Sequence, residues 1–186
     1  MFDLNKFIFT LSRLGFRNWK QEDVSALHEI NTDPEVMKYF PSIPTKEDTV
    51  EFIHRMQKLF MKSSYCYFAV ERLDNFKLIG FFGLSSINFE NKFSSSIDLG
   101  CRSRKSEWNQ GFATEGAKRC IQFGFERLNI PSMIAIAPKV NLKSELVMKK
   151  AGLSFVEYFI HPKLKEHKEL EECVLYEIKN SLSVSE

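Results

Sequence analysis

Trp108-Asn109-Gln110-Gly111-Phe112-Ala113-Thr114-Glu115 constrains this chain more than any other stretch. A run of strand character, Ile97-Asp98-Leu99-Gly100-Cys101-Arg102, leads into it, and a long amphipathic pattern follows. The segment is therefore a turn that feeds a helix from the end of a strand. Small residues at Gly111 and Ala113 let the backbone approach a ligand with little side chain in the way. The first helical turn adds four amide N–H groups without an internal partner and the positive end of the helix dipole. Together these make an anion cradle suited to a pyrophosphate. A phosphate-bearing cofactor is the expectation.

Three phosphate-binding patterns compete for this segment. A Walker loop needs Gly-Lys-Ser/Thr, so that lysine reaches the terminal phosphates and the hydroxyl holds magnesium; here Phe112 follows the glycine. A dinucleotide fingerprint is closer in spacing, as Gly111-x-Ala113-x-x-Gly116. That motif also needs an acid about 20 residues on to grip the ribose. The next strand, Ser132-Met133-Ile134-Ala135-Ile136-Ala137-Pro138, ends without one.

The third pattern is the Q/R-x-x-G-x-G/A loop of the GNAT acetyltransferases. The chain resembles that superfamily at Gly111-Phe112-Ala113, with Trp108 where most members have Gln or Arg. A tryptophan there is similar to the branch that includes the Rim-type ribosomal-protein N-terminal acetyltransferases. The resemblance runs from Leu11 to Ile178. It takes in Leu11-Ser12-Arg13-Leu14-Gly15-Phe16-Arg17, then Asp33-Pro34-Glu35-Val36-Met37, then Leu78-Ile79-Gly80-Phe81-Phe82-Gly83-Leu84. Asn141-x-x-Ser144-x-x-x-Met148-x-x-x-Gly152-Leu153 closes the series. Four motifs in the right order are far more specific than any one of them.

Composition limits the function classes. The 186 residues are 44% apolar and 27% charged, enough for a sizeable core in one domain spanning 1–186. The 18 phenylalanines fall mostly at periodic positions, which predicts core packing. A net charge of +2 is too balanced for a dedicated nucleic-acid binder. No run approaches the roughly 20 apolar residues of a membrane span, and the first residues show no export signal. The expected compartment is cytoplasmic, with no membrane or nucleic-acid partner. Cys66, Cys101, Cys120 and Cys173 are scattered, and with the four histidines they lack metal-ligand spacing. Free thiols and no metal are expected.

The organisation reads as a first strand over Thr10–Asn18, a helix over Glu22–Ile30, and a longer helix capped by Thr45 with Asp48 completing a capping box. Strands follow over Tyr65–Glu71, Lys77–Ile87 and Ser94–Arg102, then a helix over Phe112–Leu128. A strand ending at Pro138, a helix from Asn141 to Gly152, and strands over Phe155–Ile160 and Glu172–Ile178 complete the chain. Lys163–Glu169 is read as a solvated hairpin loop. Strands in succession and then strand–helix alternation give an α/β (mixed α+β) class, a mixed sheet with helices on both faces. The resemblance implies the GNAT fold, a mostly antiparallel sheet whose fourth and fifth strands splay apart to admit the cofactor.

The same resemblance implies acetyl-CoA as co-substrate and a primary amine as acceptor. Asn109, Gln110, Gly111, Phe112, Ala113 and Thr114 would hold the pyrophosphate through backbone amides. Leu99 and Cys101 would pair through backbone with the pantetheine arm. Asn141 is a helix N-cap, a cofactor contact, or both. Ser144 stands where the branch has a serine near the cofactor sulfur, suited to protonating the thiolate; Tyr158 is the alternative. Asp98 stands where the branch usually has glutamate and is the candidate base; a structural ion pair competes with that role, and Glu157 and Glu107 are alternatives. Glu115 is read as a first-turn acid complementing the helix dipole. Arg102, Arg104, Lys105, Lys139, Lys143, Lys149 and Lys150 surround the site in sequence, and one or two would meet the 3′-phosphate.

Amine chemistry ranks the acceptors. An α-amine with pKa near 8 costs about 1 kcal/mol to deprotonate at pH 7, a lysine side chain roughly 4.6 kcal/mol. A weak or water-relayed base therefore suits a protein N-terminal α-amine better than lysine. Two further readings remain. One is an antibiotic- or polyamine-modifying enzyme with an acidic cleft from Glu29, Asp33, Glu35, Glu47, Asp48 and Glu51; the other is a non-catalytic acyl-CoA sensor. The sequence does not address oligomeric state.

Overall fold

The two ends of the sheet are built by different means. In this computed structural model, which describes residues 6–87 and 96–181, the order of the eight strands is β1-β2-β3-β4-β5-β6-β8-β7. The N-terminal strands are β1 (Phe9–Thr10), β2 (Leu14–Arg17), β3 (Tyr67–Arg72) and β4 (Leu78–Ser86). The remainder are β5 (Ile97–Ser103), β6 (Ser132–Pro138), β7 (Ser154–Ile160) and β8 (Glu172–Lys179). Every neighbouring pair is antiparallel except β5 and β6. Five helices accompany them: α1 (Asp23–Asn31), α2 (Pro34–Met37), α3 (Lys46–Ser63), α4 (Phe112–Leu128) and α5 (Leu142–Ala151). This is the mixed, mostly antiparallel class that the sequence predicts.

Two local expectations need correction. The single strand over Thr10–Asn18 is a tight hairpin, because the Leu11 N–H donates to the Leu14 carbonyl at 2.7 Å and turns the chain at Ser12-Arg13. Between the two expected helices, Asp33-Pro34 starts an additional four-residue helix, α2, whose N-cap carboxylate accepts from the Glu35 N–H at 2.9 Å. Part of the expected strand from Ser94 falls on residues 94–95, outside the described residues. The Lys163–Glu169 loop is mostly exposed, but Leu164 and the adjoining Leu170 are buried with Cys173.

Phenylalanine builds the face under α4. Phe9 lies 4.5 Å from Phe16 and 4.7 Å from Phe123, ring centre to ring centre, and Phe68 lies 5.8 Å from Phe123. Alternation along β3, β4 and β5 sends Phe68, Phe82, Leu84 and Leu99 to this side. On the opposite side Phe52 of α3 packs 5.1 Å from Phe81 and stacks on Tyr67. A buried ion triad closes that layer: Arg17 donates to both oxygens of Asp23 at 2.7 Å and to Glu71 at 2.5 Å.

The site is positioned by a break in the ladder. β5 and β6 pair in parallel only at Ile97↔Met133 and Asp98↔Ile134. Beyond Asp98, β5 stays bonded to β4 but has no strand partner on its β6 side among the described residues, while β6 remains paired to β8 as far as Pro138. The sheet opens into a wedge whose apex is Asp98.

Candidate active site

One wall of the wedge ends in the cradle. Arg104 to Trp108 make a tight turn containing a single 3-10 turn at Lys105–Glu107, and the Trp108 indole N–H donates to the Ser103 carbonyl at 3.1 Å. The indole packs on Ile30, Val36 and Met37, with the Lys143 ammonium 5.0 Å from the ring centre. Asn109 and Gly111 take left-handed backbone conformations, φ 60° and 84°. Gly111 is the N-cap of α4, and no side chain caps the helix there. A Cβ on Gly111 would meet only the Arg13 guanidinium, at 3.5 Å. Asn109, Gln110 and Gly111 are exposed, so the turn and the first amides of α4 face outward. An uncapped helix N-terminus at an open turn fits a diphosphate.

Sequence reasoning missed what braces this turn. Arg13, in the β1–β2 hairpin, donates through Nη1 to the Gln110 carbonyl at 3.0 Å and through Nε to the Glu115 carboxylate at 2.8 Å. Its guanidinium also lies 4.3 Å over the Phe112 ring. Glu115 is thus an ion-pair partner as well as a first-turn acid. The Phe112 side chain is buried, which leaves that residue only its backbone for the cradle. Nothing local signals the link, since 102 residues separate Arg13 from Glu115.

Asp98 sits at the apex, half-buried, and accepts a short hydrogen bond from the Tyr67 hydroxyl. The tyrosine ring reaches it by lying across Gly83 and Gly100, which stand opposite each other in the ladder. Any Cβ at Gly100 would overlap that ring at 2.8 Å. Burial pushes the Asp98 carboxyl up to about 6, and the Tyr67 bond partly offsets it. Tyr67 is raised well above the usual phenol range, by burial first and then by the Asp98 charge. Tyr67 would have been found from sequence only with the register known, since the small residues that seat its ring lie on two other strands.

Leu99 and Cys101 are the next β5 residues on the α4 side, one buried and one exposed, along the unpaired edge. Across the wedge, α5 starts four residues beyond the end of β6. Asn141 caps it, its side-chain oxygen accepting from the Ser144 N–H at 3.2 Å. The Ser144 hydroxyl has no hydrogen-bond partner among the described residues; Ser144 is on α5, which follows β6, and Asp98 is on β5. Tyr158 on β7 is exposed, with the Lys139 ammonium 4.7 Å from its ring centre. Glu107 accepts from Arg72 at 3.1 Å, which gives it a structural role. Of the cationic cluster, Arg104 pairs with Glu29, Lys139 with Glu172 and Lys149 with Glu145. Lys105, Lys143 and Lys150 have no carboxylate partner among the described residues. No group of three or more metal-ligating side chains occurs among those residues, and no described helix is long and apolar enough to cross a membrane.

The model of the acetyltransferase (GNAT) domain matches residues 13–154, from the hairpin that braces the cradle to the start of β7. The chain belongs to the GNAT acetyltransferases. Among GNAT relatives, an uncharacterized N-acetyltransferase, YnaD, from Bacillus subtilis (strain 168) is 30% identical over 152 residues, covering 81% of this chain and 84% of the relative. The solved GNAT-family acetyltransferase from Bacillus anthracis superposes with a TM-score of 0.77 at 25% identity, over 92% of this chain and 97% of that one. The ribosomal-protein-S5-alanine acetyltransferase from Vibrio fischeri shares the fold with a TM-score of 0.76 at 17% identity, over 93% and 96% of the two chains. GNAT enzymes take their acetyl group from acetyl-CoA.

Proposed function

We propose that this GNAT enzyme acetylates a protein N-terminal α-amine, with Asp98 as base and Ser144 as proton donor. Asp98 takes a proton from the ammonium, directly or through water, and the freed amine attacks the thioester carbonyl carbon. The C–N bond forms as the C–S bond breaks, and the Ser144 hydroxyl protonates the departing thiolate. The observation that carries this reading is the half-buried Asp98 at the wedge apex, with a carboxyl raised to about 6. Such a base lies roughly 2 pKa units below an α-amine and about 4 below a lysine, a transfer cost of about 3 against 6 kcal/mol.

A polycation-binding cleft receives less support. Of the six acids that would line it, Glu29 is paired with Arg104, Asp33 caps α2, and Asp48 completes the Thr45 capping box at 2.8 and 3.0 Å. Turnover of acetyl-CoA against peptides, polyamines and aminoglycosides separates the readings. Peptides with free N-termini are the expected substrates. Polyamine or aminoglycoside turnover alone would favour the small-molecule reading, and tight acetyl-CoA binding with no turnover would favour a sensor. Within the same assay Ser144→Ala is expected to cut turnover at least about tenfold with little change in coenzyme affinity. Unchanged turnover removes Ser144 from the mechanism and leaves Tyr158 as the donor to test.

A further inference from the structure

Arg102 holds a charge that its surroundings do not neutralise. Alternation along β5 puts Asp98, Gly100 and Arg102 on the face of the sheet covered by α1 and α3. The Arg102 Nη1 donates to the Asn31 side-chain oxygen at 2.7 Å, and the guanidinium lies 4.1 Å over the Phe40 ring and 5.4 Å from Phe81. Asn31 is itself buried and donates to the Thr49 hydroxyl at 3.3 Å. All of these partners are neutral. The Arg102 Nε is enclosed and has no acceptor. The other arginines on the sheet and its connections all have a carboxylate: Arg13 has Glu115, Arg17 has Asp23 and Glu71, Arg72 has Asp74 and Glu107, Arg104 has Glu29.

A half-buried cation without a counter-charge costs free energy, and this one is held in a fixed orientation by the Asn31–Thr49 chain and the Phe40 ring. A planar guanidinium prepared in that way matches a carboxylate. We propose that the amine acceptor carries a carboxylate, and that Arg102 binds it while Asp98 receives the proton from the amine. This inference rests on the acetyl-transfer reading above and names the acceptor more narrowly. Four residues of strand separate the α-carbons of Asp98 and Arg102 by roughly 13 Å. The α-carboxylate of a free amino acid sits too close to its own amine to span that distance. The second or third residue of an extended peptide lies about 3.4–6.8 Å along the chain from the first, and an acidic side chain there together with the Arg102 side chain covers the remainder.

The test uses the full-length enzyme and peptides with a common first residue. They carry Asp or Glu, a neutral residue, or Lys at the second and third positions, and free glutamate is included as a separate acceptor. The wild type is expected to favour the acidic peptides over the neutral ones by roughly 10- to 100-fold in kcat/KM, the range of a hydrogen-bonded charge pair. Arg102→Gln should bring that ratio close to one, and Arg102→Glu should turn the preference toward Lys. Free glutamate as the best acceptor would overturn the peptide assignment. Equal kcat/KM for acidic and neutral peptides overturns the inference and leaves the transfer reading standing. An acidic preference that survives Arg102→Gln overturns the assignment to Arg102. If no amine is turned over while acetyl-CoA binds, the transfer reading falls, and this one with it. The wild-type ratio decides the matter even where a variant fails to fold.

Discussion

Gly111→Glu is expected to eliminate acetyl-CoA binding in titration calorimetry while leaving the protein folded. The position is strained for any residue with a side chain, since its φ is 84°, and the left-handed conformation costs roughly 1–2 kcal/mol. Space is not the obstacle, because an added Cβ meets only the Arg13 guanidinium at 3.5 Å. The decisive effect is charge. A carboxylate at the N-cap accepts the free amides of α4 and is favoured by the helix dipole, so it occupies the donors a diphosphate needs and repels that diphosphate. Losing several charge-assisted bonds of about 1.5–3 kcal/mol each weakens binding by more than about 100-fold. Gly111→Ala separates strain from charge and is expected to keep most of the affinity. Unaltered affinity in the glutamate variant would place the coenzyme elsewhere.

Asp98→Asn has the other large expected effect, and it acts on activity and stability in opposite directions. The proposed base role requires an ionised Asp98, so kcat/KM in the wild type is expected to climb as pH rises through about 6. The asparagine variant loses that limb, and its turnover falls roughly 10²- to 10⁴-fold. For stability, the folded carboxyl is raised from 3.8 to about 6. A raised acid contributes stability that is fully present below the unfolded value near 4 and lost as pH rises through 6. Above pH 6 the ionised, half-buried group costs on the order of 2–3 kcal/mol. Asp98→Asn relieves that cost, so its melting temperature should exceed the wild type at pH 7.5 and match it at pH 4. Equal melting temperatures at both pH values, with the acid limb retained, would remove Asp98 from the mechanism.

What could be read from the sequence was set by how far apart the interacting residues are. The bounds of α4 were legible because Gly111 opens it, and the cap of α3 because Thr45 and Asp48 are three residues apart and bond each other reciprocally. Asn141 and Gly152 mark the ends of α5 for the same local reason. The β1–β2 hairpin reads as one strand, although the apolar positions shift phase from Phe9 and Leu11 to Leu14 and Phe16, because Ser12-Arg13 holds no Gly, Pro or Asn to mark a turn. Phe123 on α4 is buried for a non-local reason: Phe9 and Phe68 reach over to cover it. The site divides along the same line. The turn into α4 is one contiguous segment and its shape was legible, whereas Tyr67 on Asp98 spans 31 residues and Asn31 on Arg102 spans 71. Those contacts exist only once strands are in register and α1 lies across them.

Among the described residues, two rungs of ladder, at Ile97 and Asp98, are all the strand pairing that joins the five N-terminal strands to the three C-terminal ones. Above them the N–H and C=O groups of Leu99 and Cys101 point to a side where no strand lies. An elongated amide-bearing guest laid along that margin would knit the halves together as an extra, borrowed strand. The enzyme would then be tightest when loaded, and its architecture complete only with a small molecule as part of the weave.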